Sequence, residues 1–177
     1  MAETEEAVRR FCAGDEEAFG QIVARWERKI YNLAWRVLGN REDAQDVVQE
    51  TFLSVFRSAK SLRDPASFAT WVYRIALNHC RARWRDRQPD PDERQEELPA
   101  HGGGDPLEAR DLIRKALSGL SEDHRSAIIL KEYLGLSLEE LATVMNCALS
   151  TAKSRLYHGL RGVERNLKRM GVKIGES

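Results

Sequence analysis

The sequence predicts an all-α protein: two small helical domains joined by a flexible acidic linker. Three observations carry this. No stretch shows the period-two alternation of a half-buried strand. Apolar residues recur at helical spacing in both halves. A segment rich in proline, glycine and acid interrupts them, "QPDPDERQEELPAHGGGDP", residues 88–106, with four prolines and three consecutive glycines. That segment has almost no apolar side chains to offset the entropy of ordering, so it reads as a linker. The boundaries that follow are 1–87, 88–106 and 107–177, each domain near the lower size limit for an independent core.

In the first domain, Phe19, Ile22, Val23, Trp26, Ile30, Leu33, Ala34 and Val37 form one apolar stripe of a long helix. Gly39 suits the position just past its end. Asn40 is a good N-cap for a second helix, to about residue 59. That helix is expected to bury Ala44, Val47, Val48, Thr51, Phe52, Val55 and Phe56. Asp64-Pro65 marks a third start, an N-cap followed by proline at the first helical position. This helix should run through Phe68, Trp71, Val72, Ile75 and Ala76 to about residue 87.

In the second domain, Leu112, Ile113, Ala116, Leu117 and Leu120 make a short amphipathic helix, and Ser121 caps the next, which ends near Leu134-Gly135. "SLEELATVM" then opens with Ser137 and Glu140 as an S-x-x-E capping box. Leu138, Leu141, Ala142 and Met145 form its apolar face. After a brief turn Ser150 is the expected cap of a final helix. Two short helices across a tight turn is the helix-turn-helix pattern.

Lysine plus arginine equal aspartate plus glutamate, 28 of each, but the charge is unevenly placed. Cations exceed acids by two in residues 1–88 and by four in 112–177, while acids exceed cations by six in 89–111. Local charge decides whether a face can meet phosphate. On the final helix Ala152, Leu156, Leu160, Val163 and Leu167 are expected inside. Thr151, Ser154, Tyr157, His158, Arg161 and Arg165 project opposite, with Lys153 and Arg155 on the flanks. No acid stands between Ser150 and Val163, so this face suits the major groove.

A second basic cluster is "WVYRIALNHCRARWRDR", residues 71–87. Arg74, Arg81, Arg83, Arg85 and Arg87 interleave there with Trp71, Tyr73 and Trp84. Arginine with aromatics suits unpaired nucleic acid, and a solvated helix end would look the same. Asp46, Gln49, Glu50, Leu53 and Arg57 share the back of the second helix. A leucine among acids is either incidental or the centre of a partner-binding patch.

Catalytic and metal signatures are missing. "HGGGD" falls in the linker with no strand or lysine after it, and His79, His101, His124 and His158 are scattered. Cys12, Cys80 and Cys147 show no C-x-x-C spacing, which fits a reducing cytoplasm. The acidic N-terminus has no apolar leader, and no window is long enough for a membrane span. A non-enzymatic, cofactor-free cytoplasmic protein is expected.

The stretches "DAQDVVQETF" and "TAKSRLYHGL", with their surroundings, resemble regions 2 and 4 of the extracytoplasmic-function sigma factors of bacterial RNA polymerase, in the family's order and over most of the chain. The resemblance implies promoter recognition, DNA melting and transcription initiation with core polymerase. It implies that Asp46, Gln49, Glu50 and Leu53 meet the clamp helices of the β′ subunit. It implies that Lys60, Arg63, Asp64, Ser67, Thr70, Arg74, Asn78 and Arg81 recognise and open the −10 element. Ser150, Thr151, Lys153, Ser154, Arg155, Tyr157, His158 and Arg161 would read the −35 element, with region 4 also on the β flap. An anti-sigma factor is an expected further partner. "CALST" departs from the family's frequent C-P-x-G-T, and His158 stands where arginine is frequent, so −35 contacts are expected to be weaker or pH-sensitive. The alternative is a stand-alone dimeric helix-turn-helix regulator.

Overall fold

In the computed structural model the described residues are 2–58, 62, 64–86 and 107–172. They are helical: α1 (Ala2–Cys12), α2 (Glu16–Leu38), α3 (Arg41–Ser58), α4 (Phe68–Asp86), α5 (Leu107–Ser118), α6 (Glu122–Ile128), α7 (Leu138–Met145) and α8 (Leu149–Arg169). A single 3₁₀ turn, Pro65–Ser67, leads into α4, and a π turn, Ile129–Tyr133, prolongs α6. The chain divides into two compact units, one built on α1 to α4, the other on α5, α6, α8 and the greater part of α7. The linker expected at 88–106 lies outside the described residues.

In the first unit α2 is central and packs on α1, α3 and α4. Its stripe is buried as expected at Ile22, Trp26, Ile30, Leu33, Ala34 and Val37. Gly39 closes it in the left-handed region at φ 73° and donates its N–H to the Trp35 carbonyl. That conformation strains any residue with a Cβ. Asn40 accepts the Asp43 N–H at 3.0 Å, so the expected cap of α3 is present.

Two features of this unit differ from expectation. The chain begins with a helix, α1, which contributes only Ala7 and Val8 to the core. Phe56, expected inside, is 47% exposed. Its ring still lies 5.6 Å from Phe11 and 5.2 Å from Phe19, at the rim where α1, α2 and α3 meet.

In the second unit α8 packs on α5 and α6. The capping box of α7 is complete: Glu140 N–H donates to the Ser137 hydroxyl at 3.1 Å, and Ser137 N–H donates to the Glu140 carboxylate at 2.8 Å. Ser121 caps α6 through the His124 N–H at 3.5 Å, a long contact. The end of α5 is closed from other helices. Arg125, 4% exposed, donates to the Leu117 and Ser118 carbonyls at 3.0 and 2.7 Å, and Asn166 donates to the Ala116 carbonyl at 2.8 Å. A cation there suits the negative end of the helix dipole.

The seat of α8 corrects the expected wheel. The helix starts at Leu149 with Ala148 at the N-cap, two residues ahead of the expected cap Ser150, and no side chain caps it. Leu160, expected inside, is 43% exposed, and the buried positions are Ala152, Gly159 and Gly162. A Cβ at Gly159 would stand 3.0 Å from both the His124 carbonyl oxygen and Ile128 Cδ1, and one at Gly162 would overlap Leu120 Cδ2. The glycines let α8 approach α6 and the α5–α6 turn more closely than any side chain allows. The buried side is therefore turned toward them and away from Leu160.

Candidate functional site

Three surfaces hold the residues singled out above. On α3, Asp46, Gln49, Glu50 and Leu53 fall at i, i+3, i+4 and i+7, facing outward with Leu53 50% exposed. The acids are not bare. Arg83, from α4, donates to Asp46 Oδ2 and to Glu50 Oε1, each at 2.8 Å, and stands 3.6 Å from Asp43 Oδ1. Hydrogen bonding to Glu50 is the main cause that pushes the Arg83 pKa above its ordinary value. His79 Nδ1 lies 3.2 Å from the other Glu50 oxygen, with His79 Nε2 3.0 Å from Ser54 Oγ. Arg83 was counted above in a cluster for nucleic acid. Its guanidinium is instead engaged on the acidic face, a cross-helix contact that no local spacing signals.

The second surface is the start and one side of α4. Asp64 Oδ1 accepts the Ala66 N–H at 3.0 Å, the Ser67 hydroxyl donates to the Asp64 carbonyl at 2.7 Å, and the Thr70 hydroxyl donates to the Ser67 carbonyl at 3.0 Å. These local bonds set a rigid entry to the helix. Thr70, Arg74, Asn78 and Arg81 follow at i, i+4, i+8 and i+11, one row along α4. Asn78 is exposed and the other three are half-buried. Of the aromatics in this helix, Tyr73 is buried with its ring 5.4 Å from Trp26, which removes it as a stacking platform. Trp71 is half-buried, 5.9 Å from Phe68. Lys60 and Arg63 lie outside the described residues.

The third surface is the outer side of α8. Ser150, Thr151, Lys153, Ser154, Tyr157, His158 and Arg161 are exposed. Tyr157 is 57% exposed, and the Arg161 guanidinium rests 5.7 Å from its ring. His158 lies 5.4 Å from the Tyr157 ring and 6.2 Å from His124 of α6. Arg155 is different: it is half-buried and bonded to Asp123 of α6 at 2.7 Å. Its charge is partly spent on the fold. Among the described residues no group of three His, Cys, Asp or Glu is placed to hold a metal, and no helix is long and apolar enough to cross a membrane.

Comparison with known proteins decides what these surfaces belong to. Residues 22–89 match the family model Sigma-70 region 2, and residues 110–161 match Sigma-70, region 4. The chain is 33% identical to the RNA polymerase sigma-H factor of Pseudomonas aeruginosa over 93% of each chain. It is 34% identical to the ECF RNA polymerase sigma-E factor of Haemophilus influenzae, over 91% of this chain and 93% of that one. The chain belongs to the ECF sigma factors. It is an RNA polymerase sigma factor, and the stand-alone dimeric regulator is not favoured.

Solved structures share the fold. CnrH, solved in complex with the cytosolic domain of CnrY, is 24% identical with a TM-score of 0.73, over 94% of this chain and 98% of that one. The sigma factor RpoE from Bartonella quintana, solved with the anti-sigma factor NepR, is 27% identical with a TM-score of 0.71, over 85% of this chain and 96% of that one. The region 2 match begins at Ile22 and ends just past α4, so it takes in both the acidic face and the Thr70 row. The region 4 match ends at Arg161, the last of the α8 side chains assigned to DNA.

Proposed function

We propose that this ECF sigma factor acts in the cytoplasm as a non-catalytic initiation subunit, with its two units dividing the work. Region 2 meets the β′ clamp helices of core RNA polymerase through Asp46, Gln49, Glu50 and Leu53. It opens and holds the −10 element with Lys60, Arg63, Asp64, Ser67, Thr70, Arg74, Asn78 and Arg81. Region 4 reads the −35 element with the outer side of α8, Ser150 to Arg161, and packs on the β flap. The observation that carries the reading is the exposed, acid-free outer side of α8 behind a completed helix-turn-helix capping box. The front of such a helix enters the major groove, where arginine, serine and threonine can reach base edges.

Each unit offers few phosphate contacts, so DNA binding by the free chain is weak and core polymerase supplies the spacing between modules. The Bartonella quintana neighbour was solved with an anti-sigma factor, which supports an inhibitor of the same kind as a partner of this chain. The domain limits of this reading are 1–87 for region 2, 88–106 for the linker and 107–177 for region 4.

The experiment is run-off transcription by core polymerase with and without the chain, on a randomised promoter library and on DNA upstream of its own gene. A discrete chain-dependent transcript is expected, and it defines the promoter. No transcript from either template, with no co-elution of the chain with core polymerase, would refute the reading.

A further inference from the structure

The outward side of α2 carries charge that none of the three surfaces uses. At 100° per residue Arg25, Arg28, Lys29 and Arg36 fall within one third of the helix circumference, with Gln21 and Asn32 between them. Glu27, an acid within this run, points to another side. From Arg25 to Arg36 the stripe is about 16 Å long at 1.5 Å per residue. Arg25, Arg28 and Lys29 are exposed. Arg25 pairs with Glu3 of α1 at 3.1 Å. Among the described residues no carboxylate pairs with Arg28 or Lys29, so both keep their full charge toward solvent.

The position of the stripe is the second observation. The Lys29 ammonium lies 4.5 Å from the centroid of Trp26. The same ring packs edge-on at 5.4 Å against Phe68, the first residue of α4, and against Tyr73. Phe68 stands between Ser67 and Thr70. Lys29 is thus separated from the entry of α4 by one aromatic layer, and the cation–π contact limits where its charge can wander. Lys29 is therefore within reach of the phosphates flanking a base held at Ser67 and Thr70.

We propose that the basic stripe of α2 is a phosphate track: Lys29 and Arg28, with Arg25 between them, take the DNA backbone next to the bases held at the α4 entry. The proposal rests on the reading of α4 as the −10 surface. The track carries no sequence information, because phosphates are the same at every step. It sets how long the opened strand stays on region 2 and how strongly that depends on salt.

The test is a double variant, Arg28→Gln with Lys29→Gln, in holoenzyme made with core polymerase on the promoter defined by the transcription assay. Promoter-complex formation is measured against KCl concentration. Losing two phosphate contacts should lower the slope of log affinity against log salt by about 1.4 to 1.8. The charge-conserving exchange, Arg28→Lys with Lys29→Arg, should keep the slope. Titration of core polymerase by the double variant should match the parent chain, since the stripe lies off the α3 face. An unchanged slope overturns the track. If Thr70→Ala and Arg74→Ala still abolish opening in that case, the −10 reading stands without it. If those variants also have no effect, the −10 reading itself falls.

Discussion

Arg83 of α4 and Glu50 of α3 meet at 2.8 Å, and the same guanidinium holds Asp46 at 2.8 Å. The face assigned to the polymerase therefore presents carboxylates that are already oriented and partly neutralised. A basic side chain of a partner has to share those oxygens with Arg83. Arg83→Gln should leave Asp43, Asp46 and Glu50 as three neighbouring acids without their common cation. The stability cost should be about 1 kcal/mol, because the pairs are only half-buried and remain open to solvent screening. Core binding should become more salt-dependent, since the face carries more negative charge. Fluorescence titration of core polymerase at two KCl concentrations reads this. A salt dependence equal to that of the parent would take Asp46 and Glu50 off the interface. Asp46→Arg, which reverses a charge there, should impair core binding with region 4 intact.

Arg161 and Arg155 should differ as DNA contacts. Arg161 rests on Tyr157 and, at 3.8 Å, near Glu164, whereas Arg155 is bonded to Asp123. Arg161→Ala should lose about 1–3 kcal/mol of −35 discrimination, roughly five- to 150-fold in −35-dependent initiation. Arg155→Ala should cost less at the promoter and more in the stability of region 4. Transcription from promoters with and without the −35 element, beside thermal unfolding, separates the two, and equal promoter defects would contradict the distinction.

Gly159 and Gly20 both lie inside helices and should respond in opposite directions. At Gly20 a Cβ meets nothing within 4 Å, so Gly20→Ala should stabilise region 2 by up to about 1 kcal/mol through helix propensity. At Gly159 the Cβ would press on a backbone oxygen that cannot turn aside. Overpacking of about 1–3 kcal/mol should exceed the propensity gain, and Gly159→Ala should lower the unfolding midpoint of region 4. Denaturation of both variants checks the signs, and a stabilised Gly159→Ala would mean that α8 can shift on α6.

Asp15 should make the start of α2 acid-sensitive. Its carboxylate accepts the Arg10 guanidinium and caps the Glu17 and Ala18 N–H groups at 3.1 and 3.3 Å. The Arg10 hydrogen bond is the largest cause holding its pKa below the ordinary 3.8. The folded value is thus lower than the unfolded one. The contribution is complete above 3.8 and is lost as pH falls through the folded value. Asp15→Asn should flatten the acid end of the stability curve and lower stability slightly at neutrality, where the Arg10 contribution is lost although asparagine keeps the cap. An identical acid limb in parent and variant would show that other carboxylates govern it.

Much of the architecture was legible because it follows local rules. The capping box at Ser137 and Glu140, the αL residue Gly39 and the Asn40 cap each need only a few neighbouring residues, and all three are present. The misses share a cause: each depends on which helix lies opposite. Helix α1 is short and buries little more than Ala7 and Val8, and the available clue was Ala7, Val8, Phe11 and Cys12 at helical spacing. Leu160 seemed inward because a wheel weighs side-chain hydrophobicity, and glycine has none to weigh. What turns the helix is the absence of side chains at Gly159 and Gly162, and two glycines three residues apart inside a long helix was the available clue. Arg83 belonged by composition to a basic run, and only the packing of α4 on α3 brings it to the acids. The exposure of Thr151, Ser154, Tyr157, His158 and Arg161 on α8 was legible from helical period, whereas that of Leu160 was not.

The seat of α8 has a consequence for how such a protein can be retargeted. The residues that hold the helix, Ala152, Gly159 and Gly162, share no side chain with those that face outward, Ser154, Tyr157, His158 and Arg161. On the proposed −35 reading, readout and anchorage are interleaved along one helix, and of the candidate readers Arg155, bonded to Asp123, also serves anchorage. On that reading, substitutions in the outward set should change the preferred −35 letters while the seat of the helix on α6 stays put. Diversification of promoter preference among duplicated copies, or by deliberate engineering, then has a short alphabet to work with and a fixed frame in which to try it.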